Sequence, residues 1–136
     1  MTISPAPIQL AIATDADIVA ARQAGRELAV QAGCSAADAT LVATAISEIT
    51  RNIVTYASAG EVVIDVVDAG RRQAIEVVAR DDGPGIADVA QAMQDGYSSG
   101  MGLGLGLPGA RRLVDEFEIS SEVGAGTTVV MRKWCG

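Results

Sequence analysis

The order in which the hydrophobic period changes along this chain leaves room for few folds. Ile8, Leu10 and Ile12 alternate with small or polar residues, at the two-residue period of a strand. Thr14 or Asp15 then caps a helix that carries Ile18, Ala21, Leu28 and Ala29 towards Gly33, a residue suited to the position just past a helix. Ser35 opens a second helix with Asp38 as its capping-box partner, and Val42, Ile46, Ile49, Ile53 and Tyr56 form its apolar stripe. That helix is expected to stop within 57–60. Residues 61–68 and 73–80 are β-rich runs joined by a turn containing Gly70, and so predict an antiparallel hairpin. Residues 117–122 and 127–133 predict a second hairpin around 123–126. Between the hairpins lies a chain break at 81–85, at most a short helix at 88–94, and a Gly- and Ser-rich stretch at 96–101 that is expected to be mobile. A helix at 110–116 follows, with Pro108 as an early helical residue. Residues 1–7 read as a flexible arm. The expectation is therefore a single domain over 1–136, ordered β-α-α-β-β-α-β-β. That order predicts an α/β (α+β) two-layer sandwich, a mixed sheet with helices on one face.

Composition narrows the chemistry. Aromatic residues are only 3% of the chain against 49% hydrophobic, so the core must be built from Val, Ile, Leu and Ala. Ten basic residues against seventeen acidic give a net charge of −7, which argues against nucleic acid or an anionic membrane as the main partner. There is no histidine, so a Ser-His-Asp triad, a histidine zinc site and a phosphohistidine relay within the chain are excluded. Lys133 is the only lysine, which excludes a P-loop and the strand lysine of eukaryotic-type protein kinases. Cys34 and Cys135 fit no metal-binding spacing and are expected as two free thiols in a reducing cytosol. No apolar run approaches the roughly 18 residues of a transmembrane helix, and no signal peptide opens the chain, so a cytoplasmic location is expected.

Four short patterns could carry chemistry. Glu48 and Asn52, four residues apart, share a helical face with Leu41 and Ala45 at the margin of the core stripe. A carboxylate there can accept a proton and an amide oxygen can ligate Mg²⁺, although the two residues alone read more simply as a solvated pair. Asp81-x-Gly83-x-Gly85 follows a strand and offers one directional acceptor beside an open backbone, which suits an exocyclic amine such as that of adenine or, equally, an ordinary turn. Residues 100–109 contain five glycines, alternate glycine with leucine, and lead into a helix N-terminus, where free N–H groups and the helix dipole favour an anion. Gly104-x-Gly106-x-x-Gly109 also fits a dinucleotide fingerprint, but no hydrophobic strand precedes it. Gly124-x-Gly126-Thr127-Thr128 is a turn with two hydroxyls at its exit.

In this order the four patterns resemble the N, G1, G2 and Gly-Thr boxes of the GHKL ATPase superfamily, which includes gyrase, Hsp90, histidine kinases and MutL. Within it the chain looks most like the RsbT-like serine/threonine-protein kinases of the stressosome. That likeness rests also on Asp17-Ile-Val-Ala-Ala-Arg-Gln23, Thr44-Ala-Ile-Ser-Glu-Ile-Thr-Arg-Asn52, Gly104-Leu-Gly-Leu-Pro-Gly109, Arg112-Leu-Val-Asp-Glu-Phe117 and the closing Lys133-Trp134. The resemblance implies the Bergerat ATP-binding fold, with ATP and Mg²⁺ between the helices and the sheet. It implies Glu48 as the proton acceptor for the attacking hydroxyl and Asn52 as the Mg²⁺ ligand. Asp81 would bind the adenine amine, with Gly83 and Gly85 letting the base approach. Gly102, Gly104 and Gly106 would wrap the phosphates, and Thr127 or Thr128 would assist at the adenine end. Residues 87–101 would form the ATP lid. They contain no Arg or Lys, so cationic help to the γ-phosphate must come from elsewhere, with Arg51 or the partner as sources.

The implied activity is Mg-ATP-dependent phosphorylation of a Ser or Thr on STAS-domain proteins, RsbS-like and RsbR-like, with partner switching towards an RsbU-type phosphatase or another effector. The competing readings are an RsbW-type anti-sigma factor kinase and a nucleotide-dependent binding module with little turnover. The intact Glu48 and Asn52 argue against the module.

Overall fold

The computed structural model describes residues 6–70, 72–85 and 106–135. Strand β1 (Ile8–Ile12) leads into helix α1 (Asp15–Gln31), which turns into helix α2 (Ala36–Tyr56). The hairpin β2 (Gly60–Ala69) and β3 (Arg72–Asp81) follows, then helix α3 (Gly106–Leu113) and the hairpin β4 (Glu116–Glu122) and β5 (Gly126–Cys135).

The helix starts are fixed by local hydrogen bonding. Thr14 is the N-cap of α1: its hydroxyl accepts from the Asp17 N–H at 3.3 Å, and the Asp17 carboxylate accepts from the N–H groups of Ala13 and Thr14 at 2.9 and 3.0 Å. These backbone donors, together with the Thr14 hydroxyl, hold the Asp17 carboxyl below the usual carboxylate range against a small opposing effect of burial. Ser35 caps α2 through the Asp38 N–H at 3.1 Å. The reciprocal half of the expected box is replaced by a longer reach, with Lys133 Nζ 3.8 Å from the Asp38 carboxylate.

The five strands run in the order β1-β2-β3-β5-β4, and every neighbouring pair is antiparallel, where the sequence suggested a mixed sheet. The physical reason is where the last strand goes. The connection through α3 returns the chain so that β4 runs parallel to β3. The tight β4–β5 hairpin then inserts β5 between them, so the parallel pair never meets. One face carries Val62, Ile64, Ile75, Val77, Ala79, Val129 and Met131, and packs on Ala39, Val42, Ile46, Ile49 and Ile53 of α2 with Ala21 and Leu28 of α1. Helix α1 meets β1, β2 and α2, while α3 packs on α2, so α2 lies between the other two helices. At about 25 cal/mol per Å², each fully buried Ile or Val side chain in this layer contributes roughly 1.5–3 kcal/mol.

Two expectations change. Helix α3 starts at Gly106, with Pro108 in its first turn as expected, but ends at Leu113, three residues short of the expected 116. Pro108 is tolerated in the first turn because its missing N–H has no partner to lose there. The helix cannot continue because Asp115 already belongs to the sheet: its N–H donates to the Arg132 carbonyl at 2.9 Å, and its carboxylate accepts from the Trp134 N–H at 2.7 Å and from Lys133 Nζ at 3.2 Å. The cysteines are not free thiols. Cys34, in the α1–α2 turn, and Cys135, at the end of β5, form a disulfide with their Cα atoms 4.5 Å apart across 101 residues of sequence. Spacing could not reveal this pairing, since it depends on where β5 enters the sheet.

Candidate functional site

The site assembles at one end of the sheet, where β2 begins and β3 ends. Gly60 pairs with Asp81, and Asp81 with Thr127, so three strands terminate together. The C-terminus of α2 closes on this end: an added Cβ on Gly60 would lie 3.0 Å from Ile53 Cγ2, and one on Gly83 would lie 2.6 Å from Ala57 Cβ. Glycine at 83 therefore lets the loop after β3 pass against the last turn of α2.

Asp81 is partly buried, and its Oδ1 accepts from the Gly83 N–H at 2.9 Å. This turns the loop and leaves Oδ2 available as a second acceptor. Gly85 (φ +78°) backs onto the Glu122 carbonyl, where any Cβ would overlap it, and Pro84 accepts from the Gly124 N–H at 2.8 Å. The loop is thus clamped to the β4–β5 turn. Gly126 (φ +86°) sits equally tightly against the Asp81 carbonyl. Gly83 lets the loop pass Ala57, and Gly85 and Gly126 let backbone meet backbone, so the turn that carries Asp81 is held still.

The strand pleat separates the two threonines. Thr127 lies on the same face as its register partner Asp81, and its hydroxyl is 2.8 Å from that of Ser121. Thr128 pairs with Arg80 and lies on the opposite, helix-free face. The structure thus brings Thr127 to Asp81 and takes Thr128 away. Ser121 was not singled out from the sequence, and only the register Ser121↔Thr127 brings it here.

On α2, Glu48 and Asn52 share the face expected from their spacing. Glu48 is nearly buried, with 14% of its side chain exposed, and its Oε1 is 3.4 Å from Arg51 Nη1. Asn52 is partly buried and, among the described residues, its amide has no hydrogen-bond partner. At 1.5 Å per residue, Asn52 lies about 7 Å and Glu48 about 13 Å along α2 from Ala57, which touches the Asp81 loop. An elongated ligand held at Asp81 can therefore run back along the helix past Asn52 to Glu48. Gly106 opens α3 against the flank of α2, and the first N–H groups of a helix have no partner within it, which suits an anion. Gly102, Gly104 and the expected lid at 87–101, with Tyr97, lie outside the described residues, as does the short helix expected at 88–94.

No group of three or more metal-binding side chains occurs among the described residues. A dedicated cage is therefore not offered, but Mg²⁺ does not need one. It dehydrates reluctantly and is commonly held by one or two protein oxygens plus substrate phosphates. The Asn52 amide, with no partner among the described residues, fits that role.

Comparison with known proteins gives the family. The profile of the family described as the histidine kinase-like ATPase domain matches residues 12–133. The chain is 46% identical over 123 residues to the serine/threonine-protein kinase RsbT of Bacillus subtilis (strain 168), covering 90% of this chain and 92% of that protein. It is 32% identical over 101 residues to the anti-sigma F factor of Thermoanaerobacter sp. (strain X514), covering 70% and 69%. In fold it is similar to the crystal structure of the RsbU and RsbW domains of Rv1364c from Mycobacterium tuberculosis, with a TM-score of 0.68 at 23% identity, over 95% of this chain and 32% of that one. Through the matched profile and the near full-length RsbT relative, the chain belongs to the histidine kinase-like ATPase family, among its RsbT-like serine/threonine kinases.

Proposed function

We propose that this chain is an ATP-dependent serine/threonine protein kinase that works by partner switching, with a serine or threonine of a STAS-domain protein as its acceptor. The observation that carries this reading is the shared sheet end: Asp81 and Thr127 in register, against the helix that presents Asn52 and Glu48. The 46% identity to a serine/threonine-protein kinase supports the activity.

In this reading Asp81 accepts a hydrogen bond from the adenine amine, and Thr127 with Ser121 lines the same end. Gly106, and by sequence Gly102 and Gly104, turn N–H groups towards the phosphates. Asn52 offers its amide oxygen to Mg²⁺, which when bound neutralises charge on the phosphates. Glu48 accepts the proton of the attacking hydroxyl. Residues 87–101 act as the lid, RsbS-like and RsbR-like proteins are the substrates, and an RsbU-type phosphatase is the downstream partner. The place of action is the cytoplasm; no described helix is long and apolar enough to cross a membrane.

The test is single-turnover transfer of labelled phosphate to a STAS-domain protein and to its acceptor Ser→Ala variant. Label on the first and not the second is expected, and absence of label on both would remove the kinase reading. The anti-sigma relatives favour a second reading, a kinase that also holds a sigma factor. Retention of sigma factor by the purified chain would distinguish it.

A further inference from the structure

We infer that Arg51 is the cation that meets the γ-phosphate during transfer, an inference that rests on the reading of Glu48 and Asn52 above. Phosphoryl transfer spreads negative charge over the equatorial oxygens of the moving group, and enzymes meet it with a metal and a Lys or Arg. This chain has ten basic residues, and none falls between positions 81 and 110. The cation must therefore come from another element or from the partner, and an effect of Arg51 on ATP affinity without acceptor protein separates the two.

Geometry eliminates most sources. Lys133 reaches Asp38 at the start of α2, about 21 Å along that helix from Asn52. Arg132 bridges Glu76 at 2.8 Å and Glu116 at 3.0 Å, five residues along β5 from Thr127. Arg80 pairs with Thr128 and Glu61 on the helix-free face, and Arg72 stacks over Trp134 near the β2–β3 turn. Arg111 and Arg112 end α3, whereas an anion would sit at its start. Arg22 and Arg26 belong to α1, on the other side of α2 from α3.

Arg51 alone lies on α2, one residue before Asn52. Its guanidinium is half exposed, at 53% of the side chain, and its Nη1 stands 3.4 Å from Glu48 Oε1. That separation is long for a charge-assisted bond, so the contact is readily exchanged. The guanidinium is held beside the carboxylate that receives the proton, and its remaining donors are free to turn to phosphate oxygens.

The step balances as follows. The acceptor oxygen forms a bond to the γ-phosphorus while the bond from that phosphorus to the bridging oxygen breaks. The bridging oxygen leaves on ADP with the electron pair. The hydroxyl proton passes to Glu48, and Arg51 donates N–H bonds to the γ-phosphate oxygens without itself being consumed.

The test compares ATP and ADP affinities, by calorimetry without acceptor protein, in wild type, Arg51→Ala, Arg51→Lys and Glu48→Gln. Arg51→Ala is expected to weaken ATP by about 10- to 100-fold and leave ADP unchanged, the size of a hydrogen bond to a charged group. Arg51→Lys should retain part of the preference. Single-turnover transfer by Arg51→Ala should fall and be partly restored by added guanidinium. Equal losses of ATP and ADP affinity, or an unchanged ATP/ADP ratio, would overturn the inference: a residue that only orients Glu48 would slow transfer without touching that ratio. If Glu48→Gln transfers at the wild-type rate, the underlying site reading fails and this inference with it. If Glu48→Gln is slow while Arg51→Ala keeps the wild-type ratio, only Arg51 is wrong.

Discussion

The two ends of the sheet are built on opposite plans. At the far end, several groups are tied to distant parts of the chain. The Cys34–Cys135 disulfide joins the α1–α2 turn to β5, Lys133 lies between Asp38 and Asp115, and Asp115 also holds the Trp134 N–H. At the Asp81 end, the backbone is clamped but the side chains are left open. Glycines meet carbonyls, Asp81 spends one oxygen on its own turn, and Asn52 has no partner among the described residues. Both side chains are only partly buried, so their open polar atoms remain accessible to a ligand. Cross-links are concentrated at one end, and the proposed binding groups lie at the other.

The comparison breaks most sharply at Glu48. Glu48→Gln keeps size and hydrogen bonding but loses basicity, and should slow phosphate transfer about 10²- to 10⁴-fold while folding and nucleotide affinity hold. Asn52→Ala should instead weaken Mg-nucleotide binding. Titration and single-turnover transfer on the same preparations check both, and identical binding by the two variants would dissolve the division of labour on α2. At the other end the signs reverse. Cys135→Ser should lower unfolding free energy by about 2–5 kcal/mol, because the bridge closes a long loop, and leave ATP affinity intact. Denaturant unfolding with and without reductant is the measurement. A large loss of ATP affinity would show that the two ends are coupled.

Asp81→Asn can still accept from the Gly83 N–H and so keeps the turn, but it changes the acceptor offered to the base. Nucleotide affinity should fall by roughly 1.5–3 kcal/mol with little change in melting temperature. The smallest effect belongs to Asp17, remote from both contrasts. Its carboxyl is lowered in the folded state, so its contribution is present above the unfolded pKa and is lost as pH falls through the folded value, on the acid side of about 3.9. Asp17→Asn should remove that part of the acid dependence and leave stability at neutral pH slightly reduced, as thermal melts across pH 2–7 would show.

Much of this was legible from the sequence because it is local. Thr14 and Ser35 as caps, Gly33 as a helix stop, the two hairpins and the shared face of Glu48 and Asn52 all depend on neighbours within a few residues. What was not legible depends on the position of β5. Its insertion between β3 and β4 makes the sheet antiparallel, brings Cys135 to Cys34, draws Asp115 out of α3 and selects Thr127 over Thr128. None of these has a local signature, because each is a pairing between residues far apart in sequence. The identity of the site was readable only from the order of its boxes, since each pattern alone also fits a turn or a solvated helix.

The place of β5 also sets a timetable for the newborn chain. Thr127 becomes the neighbour of Asp81 only after about fifty further residues have been made, which at 5–20 residues per second is roughly 2–10 s. Until then β3 is an unprotected edge, with Val77 and Ala79 on a face that Val129 and Met131 have yet to extend. The half-made protein has the residues of α1, α2 and three strands, but not the β5 residues that meet Asp81. Its exposure to wrong pairing is greatest in the interval before its interior strand arrives.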